Sequence, residues 1–292
     1  MSEPLIWERE AAQWPNSRSS RFVAAAGIRW HVQESGAGPV LVLVHGTGAS
    51  SHSWRDLLPT LTRRFRVIVM DLPGHGFTDG VPSARCSLDG MGESVAALLR
   101  ALQVAPEFCA GHSAGATILC RMALSGQIRP RLIASLNGAM LPFGGAAGVL
   151  FSPIAKLMAA GSLMPRLIAW RARERSAVAR TIAGTGSHLD ERGLDLYARL
   201  VRDQKHITGA LRMMANWDLH AFERQLPALQ TPLRLITAQN DQAVPPAQAR
   251  RIQALLPASQ ITELPGLGHL AHEEQPTRVA QLLCDLFDAG GP

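Results

Sequence analysis

Five consecutive residues, Gly111-His112-Ser113-Ala114-Gly115, constrain this chain most, because they close an apolar run, Phe108 to Gly111, and lead into a helix-like stretch, Thr117 to Leu124. A serine on a sharp turn between strand and helix has a strained backbone. Such a turn closes only where the residues two positions either side are small, and Gly111 and Gly115 meet that demand. Ser113 is therefore the candidate nucleophile. In a chain with 26 glycines the pattern G-x-S-x-G also arises by chance, so its meaning depends on the rest of the sequence.

The 292 residues are 47% hydrophobic, enough for one large domain or for a core domain carrying an insertion. The cysteines Cys86, Cys109, Cys120 and Cys284 show no C-x-x-C spacing and mostly lie in apolar stretches, where a thiol acts as a small hydrophobe. This usage predicts a reduced, cytoplasmic protein. Met1 to Ser20 is polar, without the apolar centre of a signal peptide or anchor, and is expected to pack as an arm through Trp7 and Trp14. Leu132 to Ala155 carries no charge and is long enough to cross a bilayer, but Asn137, Gly138, Pro142, Gly144, Gly145, Gly148 and Pro153 interrupt it. A short strand, Leu132 to Leu136, accounts for its start.

Net charge is +6, and between Pro142 and Phe222 eleven Lys or Arg face six Asp or Glu, so most of the excess lies in that segment. A solvated helical face explains it, as would an anionic ligand or peripheral contact with the inner membrane surface. No zinc-finger spacing or other nucleic-acid motif accompanies it, so a nucleic-acid partner is not implied.

Strand-like and helical patterns alternate from about residue 22 to 137. Strands are predicted at Phe22 to Ala26, Ile28 to Gln33, Pro39 to Val44, Phe65 to Met70 and Phe108 to Gly111, with Leu88, Met91, Val95, Leu98, Leu99 and Leu102 at helical spacing. From Pro142 to Phe222 the chain reads as helices only, including Gly193 to Arg202 and His206 to Ala215. Strands resume at Leu233 to Ala238 and Gln260 to Leu264, before a last helix from about Gln275 to Phe287. The expected architecture is a mostly parallel sheet flanked by helices, with a helical cap insertion. Residues 1–141 and 223–292 form the core, and 142–222 the cap.

A serine hydroxyl needs a base within reach, itself oriented by a carboxylate. Asp241 follows the strand Leu233 to Ala238, and His269 follows Gln260 to Leu264, giving the chain order Ser, Asp, His. That is the order of an α/β-hydrolase. His45-Gly46-Thr47-Gly48 follows Pro39 to Val44 and suits an oxyanion hole, with the backbone N–H groups of Thr47 and Ala114 as donors. Asp71-Leu72-Pro73-Gly74-His75-Gly76 forms a tight turn after Phe65 to Met70. His45, His75 and His112 lie inside turn motifs and are read as structural or pocket-lining groups. His272, near Glu273 at the start of the last helix, is the only rival base and is less well placed than His269. The predicted substrate pocket takes in His45, His112, Phe143, Phe151, Met213, Met214 and Trp217, with Leu150, Ile154, Met158 and Met164 as further lining or cap-core residues. No metal-ligand spacing and no dinucleotide-binding loop is present, so no metal and no cofactor is implied. Dehalogenases and epoxide hydrolases use an aspartate where this chain has Ser113, and Tyr197 is the only tyrosine, whereas epoxide hydrolases use a cap pair.

Particular stretches go further. Trp14-Pro15-Asn16, Ser20 to Val23, Trp30 to Gln33, His45 to Ala49, His52-Ser53-Trp54-Arg55, Asp71 to Thr78, Asn137 to Phe143 and Gly209 to Leu219 resemble the α/β-hydrolase-like magnesium-chelatase accessory proteins of bacteriochlorophyll biosynthesis. The resemblance covers nearly the whole chain, and its cap segment ending in Trp217-Asp218 is more specific than the triad motifs. It implies a role beside magnesium insertion into protoporphyrin, with chelatase subunits as partners and an apolar or tetrapyrrole ligand, but it supplies no reaction. Two readings stand open: an active serine hydrolase acting on an ester, or a non-hydrolytic module that holds a porphyrin. For the second, Arg166, Arg171, Arg173 and Arg175 beside Trp170 would meet the propionates.

Overall fold

A computed structural model describes residues 4–142 and 175–289. Its sheet strands are β1 (Ser20–Ala25), β2 (Ile28–Ser35), β3 (Val40–Val44), β4 (Arg66–Met70), β5 (Phe108–His112), β6 (Leu132–Leu136), β7 (Leu233–Ala238) and β8 (Gln260–Leu264). They form one eight-stranded sheet in the order β1-β2-β4-β3-β5-β6-β7-β8. The β1–β2 and β2–β4 pairs are antiparallel, and every later pair is parallel.

Alternation along the central strands explains why both faces are covered. Val42, Val44, Ile68, Met70, Cys109 and Ile133 point to one side, toward helices Leu88–Ala101 and Ala114–Leu124. Leu41, Leu43, Val67, Val69, Ala110 and Ala134 point to the other, toward Trp54, Leu57, Leu61 and helix Pro276–Ala289. A parallel strand buried on both sides reads as a continuous apolar run, which is the pattern of Val40–Val44 and Arg66–Met70. Helix Leu88–Ala101 begins where the Ser87 hydroxyl accepts the Gly90 N–H at 3.2 Å.

Between β6 and β7 the described residues form only helices, at Arg175–Ala183, Glu191–Arg202, Gln204–Ala215 and Leu219–Gln225. Aspartates cap three of them: Asp190, Asp203 and Asp218 each accept a backbone N–H of the first turn. These helices meet the core at the carboxyl ends of the strands, where Gly209 lies so close to Gly74 that an added Cβ would sit 2.3 Å from its carbonyl oxygen. The N-terminal segment packs as the expected arm, with Trp14 edge-on to Phe77 at 4.8 Å and Trp7 edge-on to Phe77 at 5.0 Å. Phe143, Leu150, Phe151, Ile154, Met158, Met164, Arg166, Trp170, Arg171 and Arg173 lie outside the described residues.

Strand register aligns the site. Val44 pairs with Gly111, His112 with Leu136, and Ala238 with Leu264, so the loops after β3, β5, β6, β7 and β8 leave one edge together. The turn after β5 depends on two glycines. A Cβ at Gly115 would lie 2.1 Å from the Val44 carbonyl oxygen, and one at Gly111 would lie 2.4 Å from the Ala116 nitrogen. Both neighbours are backbone and cannot step aside. Gly115→Ala is therefore expected to cost ~3 kcal/mol or more, read as a shift in the urea unfolding midpoint, whereas Ala123→Gly, on a half-buried part of the same helix, should cost about 1 kcal/mol.

Candidate active site

Ser113 occupies the first position after β5 with φ 50° and ψ −118°, a conformation that a non-glycine residue adopts only under constraint. The constraint is visible in its backbone. The Ser113 N–H donates to the Leu136 carbonyl at 2.9 Å, and the Ser113 carbonyl accepts from Ala116 and Ala139 at 3.2 and 3.1 Å. Ser113 is half-buried at the start of helix Ala114–Leu124. The Thr47 and Ala114 N–H groups make no hydrogen bond among the described residues. Donors left free beside a strained serine suit developing negative charge.

His269 and Asp241 meet as their positions in the chain predict. The His269 Nδ1–H donates to Asp241 Oδ2 at 2.8 Å. The other carboxylate oxygen accepts the N–H groups of Ala243 and Val244, each at 2.8 Å. Asp241 is thus buried, hydrogen-bonded on both oxygens and fixed in direction. The Ser113 hydroxyl makes no hydrogen bond to the His269 ring among the described residues.

Three features hold His269 in place, and of these the sequence reading offered only a structural role for His112. Asn137, with φ 47° after β6, donates to the His269 carbonyl at 2.8 Å while its Oδ1 accepts the Ala238 N–H at 2.8 Å. His112 Nε2–H donates to the same His269 carbonyl at 2.9 Å, which makes His112 a brace. The third feature comes from the insertion. The Thr185 carbonyl accepts from Gln242 at 3.1 Å and from His269 at 3.3 Å, so one peptide group bridges the Asp241 loop and the His269 loop. Ser187 Oγ accepts the Leu270 N–H at 2.8 Å. Gly186 between them has φ +82° and leaves no room for a side chain, since a Cβ would lie 1.9 Å from the Asn240 carbonyl oxygen.

The motif histidines serve as neutral hydrogen-bonding groups. His45 Nδ1–H donates to Gly46 at 2.7 Å and its Nε2 accepts the Leu72 N–H at 2.9 Å. His206 links two loops in the same way, accepting from Gly76 at 3.1 Å and donating to the Gly48 carbonyl at 3.1 Å. Burial first, then neighbouring positive groups, lowers His45, His75 and His272 to about 3, and burial lowers His206 to about 4. Asp71 takes the opposite course. Burial would raise its carboxyl, but His31 Nδ1–H at 2.9 Å, together with the Phe77 N–H, holds it well below the usual range.

His272 is wholly buried between Trp54 and His112, with both ring nitrogens unpartnered, and does not compete as a base. Met213 Sδ accepts the Thr47 hydroxyl at 3.6 Å, beside the candidate oxyanion loop. Trp217 belongs to the main apolar cluster, and Met214 is half-buried. Behind His269, Glu273 accepts from Arg55 at 2.5 Å and from the Tyr197 hydroxyl at 2.7 Å. Burial pushes that carboxyl up to about 7 against the opposing pull of Arg55. Among the described residues no cluster of His, Cys, Asp and Glu could hold a metal ion, and no helix is long and apolar enough to cross a membrane. Arg175 pairs with Asp195 at 3.1 Å and Glu191 at 3.6 Å, which offsets part of the cap's positive charge.

Strand order, elbow and loop geometry agree with a comparison of the sequence, in which the alpha/beta hydrolase family model matches residues 41–282. The chain belongs to the alpha/beta hydrolase family. A curated relative, the magnesium-chelatase 30 kDa subunit of Rhodobacter capsulatus, is 36% identical over 95% of this chain and 97% of its own length. The resemblance read from the sequence is borne out at that level. Among solved structures, an alpha/beta hydrolase fold protein from Burkholderia ambifaria has a TM-score of 0.74 at 24% identity, covering 91% of this chain and 99% of that one. A thermophilic esterase from Thermogutta terrifontis has a TM-score of 0.73 at 22% identity, covering 94% and 99%. At such identities they establish the alpha/beta hydrolase fold alone.

Two predictions come from this geometry. Ser187→Ala strips the Leu270 N–H of its partner and should cost about 1–3 kcal/mol, whereas Gly186→Ala should also abolish the low-field proton NMR signal of the His269–Asp241 hydrogen bond. The buried histidines set the acid limit. Their folded values lie below the unfolded value near 6.5, so their stabilisation is complete above pH 6.5 and is lost as pH falls toward about 3 to 4. Each should add about 1.4 kcal/mol per pH unit to the slope of stability below pH 6.5, and His206→Gln should remove one proton's worth from urea midpoints measured between pH 6.5 and 4.

Proposed function

We propose that this protein is a serine hydrolase that cleaves an ester bond and works as an accessory protein alongside magnesium chelatase. Residues 142–222 act as the cap over its site. The observation that carries the hydrolase reading is the strained Ser113 at a turn whose neighbouring loops hold a His269–Asp241 pair at 2.8 Å. In this reading the Ser113 Oγ attacks the ester carbonyl carbon as His269 Nε2 takes its proton. The Thr47 and Ala114 N–H groups receive the negative oxygen of the tetrahedral intermediate. The C–O bond to the alcohol then breaks, and His269 returns the proton to the departing alkoxide. Water repeats the sequence on the acyl-enzyme, leaving a carboxylic acid and the free serine. Asp241 fixes the imidazole tautomer throughout and stabilises its charged form. No cofactor enters any step.

The accessory role rests on the Rhodobacter capsulatus relative, whose name makes it a chelatase subunit. That relation also favours the second reading, a porphyrin-binding module that keeps the triad residues without hydrolysis, as does the absence of a Ser113–His269 hydrogen bond among the described residues. A peripheral contact with an anionic membrane through the cap belongs to the same proposal.

A fluorophosphonate probe separates the two readings. The hydrolase reading expects labelling of the wild type, none of Ser113→Ala, and a rate at least ~10²-fold lower for Asp241→Asn, whose imidazole takes the wrong tautomer. Folded wild type that resists the probe would exclude the hydrolase reading and leave the binding module.

A further inference from the structure

A cavity of about 650 Å³ lies under the N-terminal arm, away from the elbow. Its walls are the arm from Pro4 to Glu8, the turn from Pro73 to Val81, and the helix Gln204–Ala215 of the insertion. None of Ser113, Asp241, His269 or Thr47 reaches it. The volume is that of a small-molecule site.

Its lining has two parts. Trp7, Phe77 and Val81 supply an apolar side, and close backbone packing of Gly74 on Gly209 keeps the adjoining wall flat. Lys205 and Arg212 supply the charge. They stand seven residues apart on one helix, about 10 Å along its axis, and both line the cavity. Neither side chain makes an ion pair or hydrogen bond among the described residues. Arg29, a third cation at the wall, rests over the Phe22 ring with 3.4 Å between its central carbon and the ring centroid.

The acids at the same walls are differently employed. Asp203 is buried and accepts the Leu5 N–H on one oxygen, at 3.0 Å, and the Lys205 N–H on the other, at 2.7 Å. Asp79 accepts the Arg29 N–H at 3.2 Å. Glu8 stands exposed on the arm. Two of the three carboxylates are therefore committed to the backbone, whereas the lysine and arginine on the helix have donors to spare. Arg212 is half-buried and Lys205 exposed at the rim, and a carboxylate is the partner that their spare donors would accept.

We propose that this cavity is a second binding site, for an amphipathic organic dianion whose flat or extended apolar body lies against Trp7 and Phe77 while two carboxylates pair with Lys205 and Arg212. The site does not require Ser113 to react. It also gives the ligand of the binding-module reading a seat apart from the nucleophile.

Protoporphyrin IX, flat and carrying two carboxylates, and dodecanedioic acid, extended and carrying two, are suitable probes. Each is titrated into the full chain by equilibrium dialysis and by tryptophan fluorescence, with protoporphyrin dimethyl ester as the uncharged control. The proposal expects saturable binding of at least one dianion at one equivalent. The double variant Lys205→Glu/Arg212→Glu, on exposed and half-exposed positions, should raise its Kd about tenfold or more with an unchanged melting temperature. The dimethyl ester should bind as weakly as the variant binds the dianion, and Trp7→Phe should remove most of the quenching. Wild-type affinity in the folded double variant would overturn the proposal, as would failure of both dianions to saturate. Fluorophosphonate labelling at saturating ligand keeps the sites apart: an unchanged rate supports two sites, and protection of Ser113 places the ligand over the nucleophile and overturns the second site. Charge reversal reads the cavity alone, so its result is independent of whether Ser113 proves reactive.

Discussion

Backbone pressed against backbone at the elbow is the contact on which the rest of the site depends. Helix Ala114–Leu124 can follow β5 so abruptly only because Gly115 rides on the carbonyls of Val44 and His45, and Gly111 on the first turn of the helix. That closeness does more than permit a strained serine. It brings the start of the helix against the loop leaving β3, where a Cβ at Gly46 would lie 3.0 Å from the Ser113 Cβ. The energy that holds the strain comes from the doubly covered sheet, since a packed parallel core resists the shift of one strand that would relieve it.

Around this point the protein uses imidazoles where many folds use amides or water. His45, His112 and His206 each join loops through their ring nitrogens, and burial keeps His45 and His206 uncharged at neutral pH. A neutral imidazole both donates and accepts, so it can bridge a carbonyl and an N–H that lie on opposite sides of a loop. Asp71, an ionised group in this layer, is surrounded by donors from His31, Ser51 and Phe77. The hydrogen-bonding dipoles beside the candidate oxyanion loop are thereby fixed by the fold.

Much of this was legible in the sequence, and for identifiable reasons. The buried strands declare themselves as apolar runs because both faces need cover, and β6, β7 and β8 fall on the residues expected. The aspartate and histidine could be placed because loops after parallel strands leave at one edge. Other features left no local signature. Asn137 looks like an ordinary strand terminator, and only the three-dimensional course of β7 and β8 turns it into a strut for His269. Thr185 contributes a backbone carbonyl, for which any residue would do, and no pattern could reveal it. The Arg55–Glu273–Tyr197 group joins residues far apart in the chain, so no local pattern points to it. Charge counting in the insertion could not separate Arg175, which is paired within it, from Lys205 and Arg212, whose side chains make no ion pair among the described residues.

The bridge made by Thr185 and Ser187 bears on how such a fold can diversify. Caps of hydrolases are often pictured as interchangeable lids on a finished catalytic base, to be swapped as new substrates arise. Here the insertion supplies part of the scaffolding of that base, because its peptide groups fill the gap between the loops that carry the acid and the imidazole. A transplanted lid would have to bring a glycine with the same left-handed turn and a hydroxyl at the same place, or the recipient would lose the alignment of a pair it already possessed. Change in the rest of the insertion is free of that demand. Beyond His188, only positions without contacts such as those of Tyr197, His206 and Gly209 leave the core undisturbed when they change.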